Sequence, residues 1–134
     1  MNESPETSGI AKPTNAELDV LRELWAMGPA TVRDVHARLS SAAKPLAYTT
    51  TLKTLQVMAE KGLVTRDESQ RSHVYAAAVP QAQTQQKLVG DLLSRAFSGS
   101  LGTFIMQALS AKRATSDELA EVRKLVEEYE RSLR

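Results

Sequence analysis

Apolar positions along most of this chain recur at three- and four-residue intervals, and in one stretch they alternate. In "TNAELDVLRELWAMG", Leu18, Leu21 and Trp25 share a helical face. Thr14 or Asn15 stands where an N-cap is needed, Glu17 lies in the first turn, and Gly28-Pro29 ends the pattern. "ATVRDVHARLS" predicts a second helix, with Thr31 as its cap, Asp34 near its N-terminus, and Val32, Val35 and Leu39 as its stripe. "SAAKP" is a linker, because Pro45 disfavours helix at Lys44. A third helix is predicted from Ala47 to Lys61, with Gly62 as its stop. "LVTRDESQRSHVYA" reads as two strands around a polar turn, Leu63 to Arg66 and Ser72 to Ala77. From Thr14 to Val79 the predicted order is therefore three helices and a β-hairpin.

From residue 80 to 134 only helix is predicted. "QTQQKLVGDLLSRAF" places Val89, Leu92, Leu93 and Ala96 on one stripe. "SGS" is a break, and "LGTFIMQAL" is a short, very apolar helix that Gly102 interrupts. Thr115 and Glu118 form a T-x-x-E capping box for the last helix. Along it Leu119, Val122, Val126, Tyr129 and Leu133 form an a/d-type seam flanked by "EEYER". Three helices in a segment this short do not readily close a core, so two copies are expected to bury each other. The faces expected to meet carry Val89, Leu92, Phe104, Ile105, Val122, Val126 and Tyr129.

Three threonines open the third helix, although threonine is a mediocre helix former. At about 3.6 residues per turn, Tyr48, Thr51, Leu55, Met58 and Gly62 form the inward stripe. Thr49, Leu52, Lys53 and Gln56 lie on another face, and Thr50 sits beside the first turn. The outward surface is small, hydroxylated and singly basic, with Lys44 ahead of it. Hydroxyls donate to phosphates or meet base edges, and small side chains let a helix sit deep in a major groove. The second and third helices fit a helix-turn-helix, and the hairpin behind them fits a wing that reaches the flanking backbone. The candidate contacts are Lys44, Tyr48, Thr49, Thr50 and Lys53 on the helix side and Arg71 on the wing.

Charge sharpens this picture only locally. The whole 134-residue chain carries a net charge of +1. Between Thr31 and Tyr75, however, seven cations (Arg33, Arg38, Lys44, Lys53, Lys61, Arg66 and Arg71) stand against four carboxylates (Asp34, Glu60, Asp67 and Glu68), a local +3. The absence of cysteine excludes a disulfide framework, a thiolate metal site and a cysteine nucleophile. His36 and His73 have no clustered acidic partners, so no metal site is expected. No serine has a recognisable His/Asp pair, so no catalytic residue is expected, and no cofactor is implied. Residues 1–13, acidic and polar, read as a disordered tail and not a signal peptide; with no apolar run of membrane-spanning length, a cytoplasmic protein without direct membrane binding is expected. A threonine run alone is more often incidental than functional. The alternative reading is a winged-helix module whose threonine face docks a protein partner and does not read DNA.

The chain resembles the BlaI/MecI penicillinase repressor family, which also includes copper-responsive repressors. The resemblance rests on "ELDVLRELWAMGPATVRDVHARL", "AYTTTLKTLQVMAEKGLV", "RSHVYAA" and "AFSGSLGTFIMQAL", in that order. It implies a mainly α fold with a small β-hairpin wing: an N-terminal winged helix-turn-helix over residues 14–79 and a C-terminal three-helix dimerisation domain over residues 80–134. It also implies a homodimer that represses transcription at a palindromic operator. In the antibiotic-responsive members a membrane-embedded sensor metalloprotease relieves repression, and the repressor is cut in its dimerisation domain. The corresponding region here is Thr103 to Leu109, centred on Met106, Gln107 and Ala108. Here "MQAL" replaces the Asn-Phe pair expected there, Thr51 replaces the usual Val, Val57 stands where a charged residue is common, and the wing turn "DESQRS" lacks glycine. The paired cysteines of the copper-type members are missing, which excludes copper sensing by that route.

Overall fold

The computed structural model describes residues 12–134, so all of the expected tail but Lys12 and Pro13 lies outside the described residues. The elements run α1 (Asn15–Met27), β1 (Ala30–Thr31), α2 (Val32–Leu39), α3 (Tyr48–Lys61), β2 (Val64–Asp67), β3 (Val74–Ala77), α4 (Gln81–Ala96), α5 (Leu101–Ala111) and α6 (Ser116–Ser132). The fold is mainly helical, with one small antiparallel sheet. Contacts divide the chain into two units, one ending at Gln86 and one running from Lys87 to Arg134; the division falls inside α4.

In the first unit, hydroxyl caps start two of the helices. Thr14 accepts from the Glu17 amide and Glu17 reaches back to the Thr14 amide; Thr31 and Asp34 do the same for α2. The α1 core face is Val20, Leu21 and Leu24, a shift of phase from the predicted Leu18, Leu21 and Trp25. Leu18 is only half-buried because Glu17 takes the inward place beside it. Trp25 packs at the core edge, and its indole N–H donates to the Val79 carbonyl at 3.0 Å. Val32 and Val35 of α2, Leu55 and Met58 of α3, and Leu63, Val64 and Tyr75 complete the core.

Helix α3 ends at Gly62, whose φ of 83° is the left-handed conformation that glycine adopts without strain. The Leu63 amide then bonds to the Met58 carbonyl and the Gly62 amide to that of Ala59, a Schellman arrangement that buries Leu63. Strand β2 has its predicted length but is shifted by one residue, β3 starts two residues later than predicted, and β3 lies between β2 and an unpredicted β1. Thr31 pairs with Val74 and Ala30 with Tyr75, which ties the start of α2 to the wing.

The second unit is built differently. Its helices are capped by Ser100, which accepts from the Thr103 amide, and by a Thr115–Glu118 capping box. Ser98 and Gly99, with φ of 50° and 80°, make the turn before α5. Gly102 does not interrupt a helix; it lies within the first turn of α5, because the chain reverses before Ser100 and not after it. Phe97 and Phe104 meet edge to face with centroids 5.3 Å apart. No residue from Lys87 to Arg134 is buried.

Candidate nucleic-acid interface

Helix α3 sorts its side chains by rotation of about 100° per residue. Thr51, Leu55 and Met58 are buried, so they define the inward direction. Directly opposite stand Thr49, Lys53, Gln56 and Glu60, all exposed. Tyr48 and Leu52 flank this row on the wing side, and Thr50 and Thr54 flank it on the side of the α2–α3 loop. Tyr48 was expected on the inward stripe. It is 46 % exposed, because the first turn of α3 reaches past the core edge. Its ring stands edge-on to His36 at 5.4 Å.

The hydroxyls divide in the same way. Thr51 Oγ1 shares a 2.9 Å hydrogen bond with His36 Nδ1, locking α2 to α3 from within. Thr54 Oγ1 donates to the Thr50 carbonyl at 2.8 Å. Among the described residues, the Thr49 and Thr50 hydroxyls have no partner. Nor does any side chain cap α3, whose N-cap is Ala47, in contrast to the hydroxyl caps of α1, α2, α5 and α6. The outward start of α3 therefore offers two free hydroxyls beside the positive end of a helix dipole.

The cations also separate into engaged and free. Lys61 Nζ lies 2.7 Å from Glu17, whose side chain is only 6 % exposed. Burial pushes the Glu17 carboxyl up, but the Lys61 ammonium and the Thr14 amide and hydroxyl outweigh it and hold the group below its usual value. Arg38 pairs with Glu23 at 3.3 Å. Arg66 is held by the Tyr75 hydroxyl and by Glu68, which together raise its pKa further. Among the described residues, Arg33, Lys44, Lys53 and Arg71 have no ion pair.

Lys53 stands on the outward face of α3, and the other three flank that helix. Lys44 projects from a turn pinned by Ser41, whose Oγ accepts from the Lys44 amide at 3.1 Å, while Ser40 Oγ accepts from the Leu46 amide at 3.0 Å. With Thr50 and Thr54 it lines a cavity of about 200 Å³. On the other flank a groove of about 530 Å³ runs between α3 and the wing, lined by Arg33, Tyr48, Leu52, Gln56, Arg71 and His73 among others. All six residues named from the sequence thus lie on the outward side of α3 or along its flanks. The same groove also carries Arg33 and His73, and Gln56 of the outward face, none of which the sequence singled out as a contact. The pairing of β1 with β3 brings Arg33 beside the wing, and a two-residue strand leaves no alternation to read in a sequence.

The sequence profile of the penicillinase repressor family matches residues 13–128. The chain belongs to the penicillinase repressor family. Its members are transcriptional repressors and not enzymes. This member is similar to the transcriptional regulator BlaI of Mycobacterium tuberculosis, 35 % identical over 116 residues, covering 85 % of this chain and 82 % of that one. It is also similar to the penicillinase repressor of Bacillus licheniformis, 23 % identical over 124 residues, covering 90 % and 93 %. Two solved structures share the fold at 19 % identity. One is hsRosR-S4, in a complex (TM-score 0.53, covering 95 % of this chain and 97 % of that one). The other is the transcriptional regulator Tm0710 of Thermotoga maritima (TM-score 0.50, covering 95 % and 81 %). Among the described residues, no group of three or more His, Cys, Asp or Glu is placed to hold a metal, and no helix is long and apolar enough to cross a membrane.

Elsewhere this family member leaves apolar side chains bare. Val89 and Leu92 of α4, Ile105 and Met106 of α5, and Val122, Val126 and Tyr129 of α6 are between 41 and 67 % exposed. Phe104 is half-buried against Phe97. Gln107 and Ala108 are exposed and helical.

Proposed function

We propose that this chain is a cytoplasmic, homodimeric repressor that binds a palindromic operator. Residues 14–79 read DNA and residues 80–134 hold the dimer. The observation that carries the reading is the outward start of α3: Thr49, Thr50 and Lys53 are exposed with their polar groups free, while Thr51, Thr54 and Lys61 on the same helix are engaged within the fold. Thr49, Thr50 and Lys53 meet base edges or adjacent phosphates. Lys44 and Arg71 hold the two backbones on either side, and the Tyr48 hydroxyl reaches a phosphate along the groove.

A second copy of the chain suits the bare apolar rows of α4, α5 and α6, since a lone protomer that exposes them loses most of their hydrophobic stabilisation. One wing and one helix bury too little surface for tight specific binding, whereas two tethered copies act at high effective concentration. Relief of repression by a membrane sensor metalloprotease fits the same plan. A protease cleft takes extended chain, so the Met106–Ala108 region must unwind before it is cut. An eleven-residue helix with no buried residue opens readily. The cut would then separate the DNA-reading part from its partner without touching a DNA contact.

The test is selection of duplexes from a random library by the full-length protein, followed by titration of the selected site. The expected result is a sequence with inverted symmetry that binds two protomers. If no sequence is enriched and binding to random duplex is absent, the threonine face serves a protein partner instead.

A further inference from the structure

We infer that Gln56 reads an adenine in the major groove, about three base pairs from the pair met by Thr49, an inference that rests on α3 entering a duplex as proposed above. The row opposite the core contains four residues, and each has different chemistry. Thr49 offers one hydroxyl and a methyl, which suit several bases. Lys53 is a point charge that serves a guanine or a phosphate equally. Glu60 is anionic and exposed, so the last turn of α3 is repelled by the backbone and tilts away from it. The third residue, Gln56, is the member of the row whose side chain carries both a donor and an acceptor in a fixed two-point pattern.

Its amide places one acceptor and one donor side by side, and it is exposed with no hydrogen-bond partner among the described residues. Adenine alone presents a matching pair in the major groove: the N6 amine donates to Oε1 while N7 accepts from Nε2. Guanine sets O6 against Oε1, and the pyrimidines offer one match at most. Gln56 also lines the groove that carries Arg33 and Arg71. A sugar-phosphate strand held there brings the base edges of that strand under the amide. Gln56 follows Thr49 by seven positions, or about 10 Å along the helix at 1.5 Å per residue, which is about three steps of 3.4 Å on DNA.

The experiment uses full-length wild type and Gln56→Ala on the duplex selected by the wild type. Each adenine in a half-site is replaced in turn by 7-deazaadenine, which lacks the N7 acceptor. One adenine should respond, with wild-type affinity falling about tenfold, and it should lie about three pairs from the position that Thr49→Ala relaxes. Gln56→Ala should be indifferent to that replacement, should accept all four bases there within about twofold, and should bind random duplex as the wild type does. If Gln56→Ala keeps the adenine preference, if wild type ignores 7-deazaadenine throughout, or if Gln56→Ala weakens random-duplex binding equally, the assignment is wrong. Those results leave an enriched operator in place, so they overturn the role of Gln56 alone. Failure of wild type to select any sequence overturns the DNA reading itself.

Discussion

Replacing Lys44 or Arg71 by alanine should flatten the salt dependence of DNA binding, and replacing Arg38 should not. Sequence alone counts seven cations between Thr31 and Tyr75, which would suggest a much larger electrostatic footprint. Arg38, Lys61 and Arg66 are already committed to Glu23, Glu17 and Glu68. Four remain per protomer: Arg33, Lys44, Lys53 and Arg71. A dimer would then neutralise on the order of eight phosphates, giving a slope of log K against log salt of about −7 at 0.9 per contact. Between 50 and 200 mM salt, affinity should fall by about 10⁴-fold. A single alanine removes one contact from each half-site, so Lys44→Ala and Arg71→Ala should each bring the slope to about −5. Arg38→Ala should move it by less than about 0.5. The assay is fluorescence anisotropy of a labelled operator duplex at five salt concentrations. If Arg38→Ala flattens the slope as much as Lys44→Ala, or if Lys44→Ala and Arg71→Ala both match wild type, the division into engaged and free cations does not describe the docking face.

Three other outcomes follow from the same geometry. The folded-state pKa of Glu17 lies below its unfolded value, so its stabilisation is present above about pH 4.3 and is lost as pH falls through the folded value. Glu17→Gln should cost about 1–2 kcal/mol at pH 7, less than a fully buried pair because Lys61 is one-third exposed. It should also weaken the pH dependence between pH 7 and 3, and urea midpoints that respond to acid as in wild type would contradict this. Val126→Asp would bury an unpaired carboxylate in the proposed dimer seam at a cost of several kcal/mol; a species still dimeric at micromolar concentration by sedimentation would exclude that seam. Thr49→Ala should relax discrimination at one or two base pairs by about 1–3 kcal/mol while random-duplex binding holds, and equal loss on both duplexes would assign Thr49 to the backbone.

What the sequence revealed was local. Thr31 with Asp34, Thr115 with Glu118, and Gly62 act within a few residues of their own positions, and each stands where its pattern placed it. The helix-turn-helix and its wing were legible for the same reason. What escaped was set by contacts between distant segments. The Glu17–Lys61 pair joins positions 44 residues apart and turns an apparent surface cation into a structural one. The Ala30–Thr31 strand exists because β3 lies beside it, and without that pairing Arg33 had no visible link to the wing. Tyr48 kept the helical period of the core residues but lies beyond the edge of what the core covers. The stretch after Pro80 reads only as polar helix, yet Thr84 in the first turn of α4 is buried.

In the proposed function, repression joins a DNA-reading part to a second copy of itself through the C-terminal helices. The most direct test compares the full-length protein with a fragment ending at Gln107, on the same selected duplex and at equal salt. The core of the first unit lies wholly between Val20 and Tyr75, so the fragment retains it. The fragment should be folded, with operator affinity at least about a hundredfold weaker than that of the full chain, as expected from loss of effective concentration. A fragment that binds the operator as tightly as the full chain would contradict the proposed function.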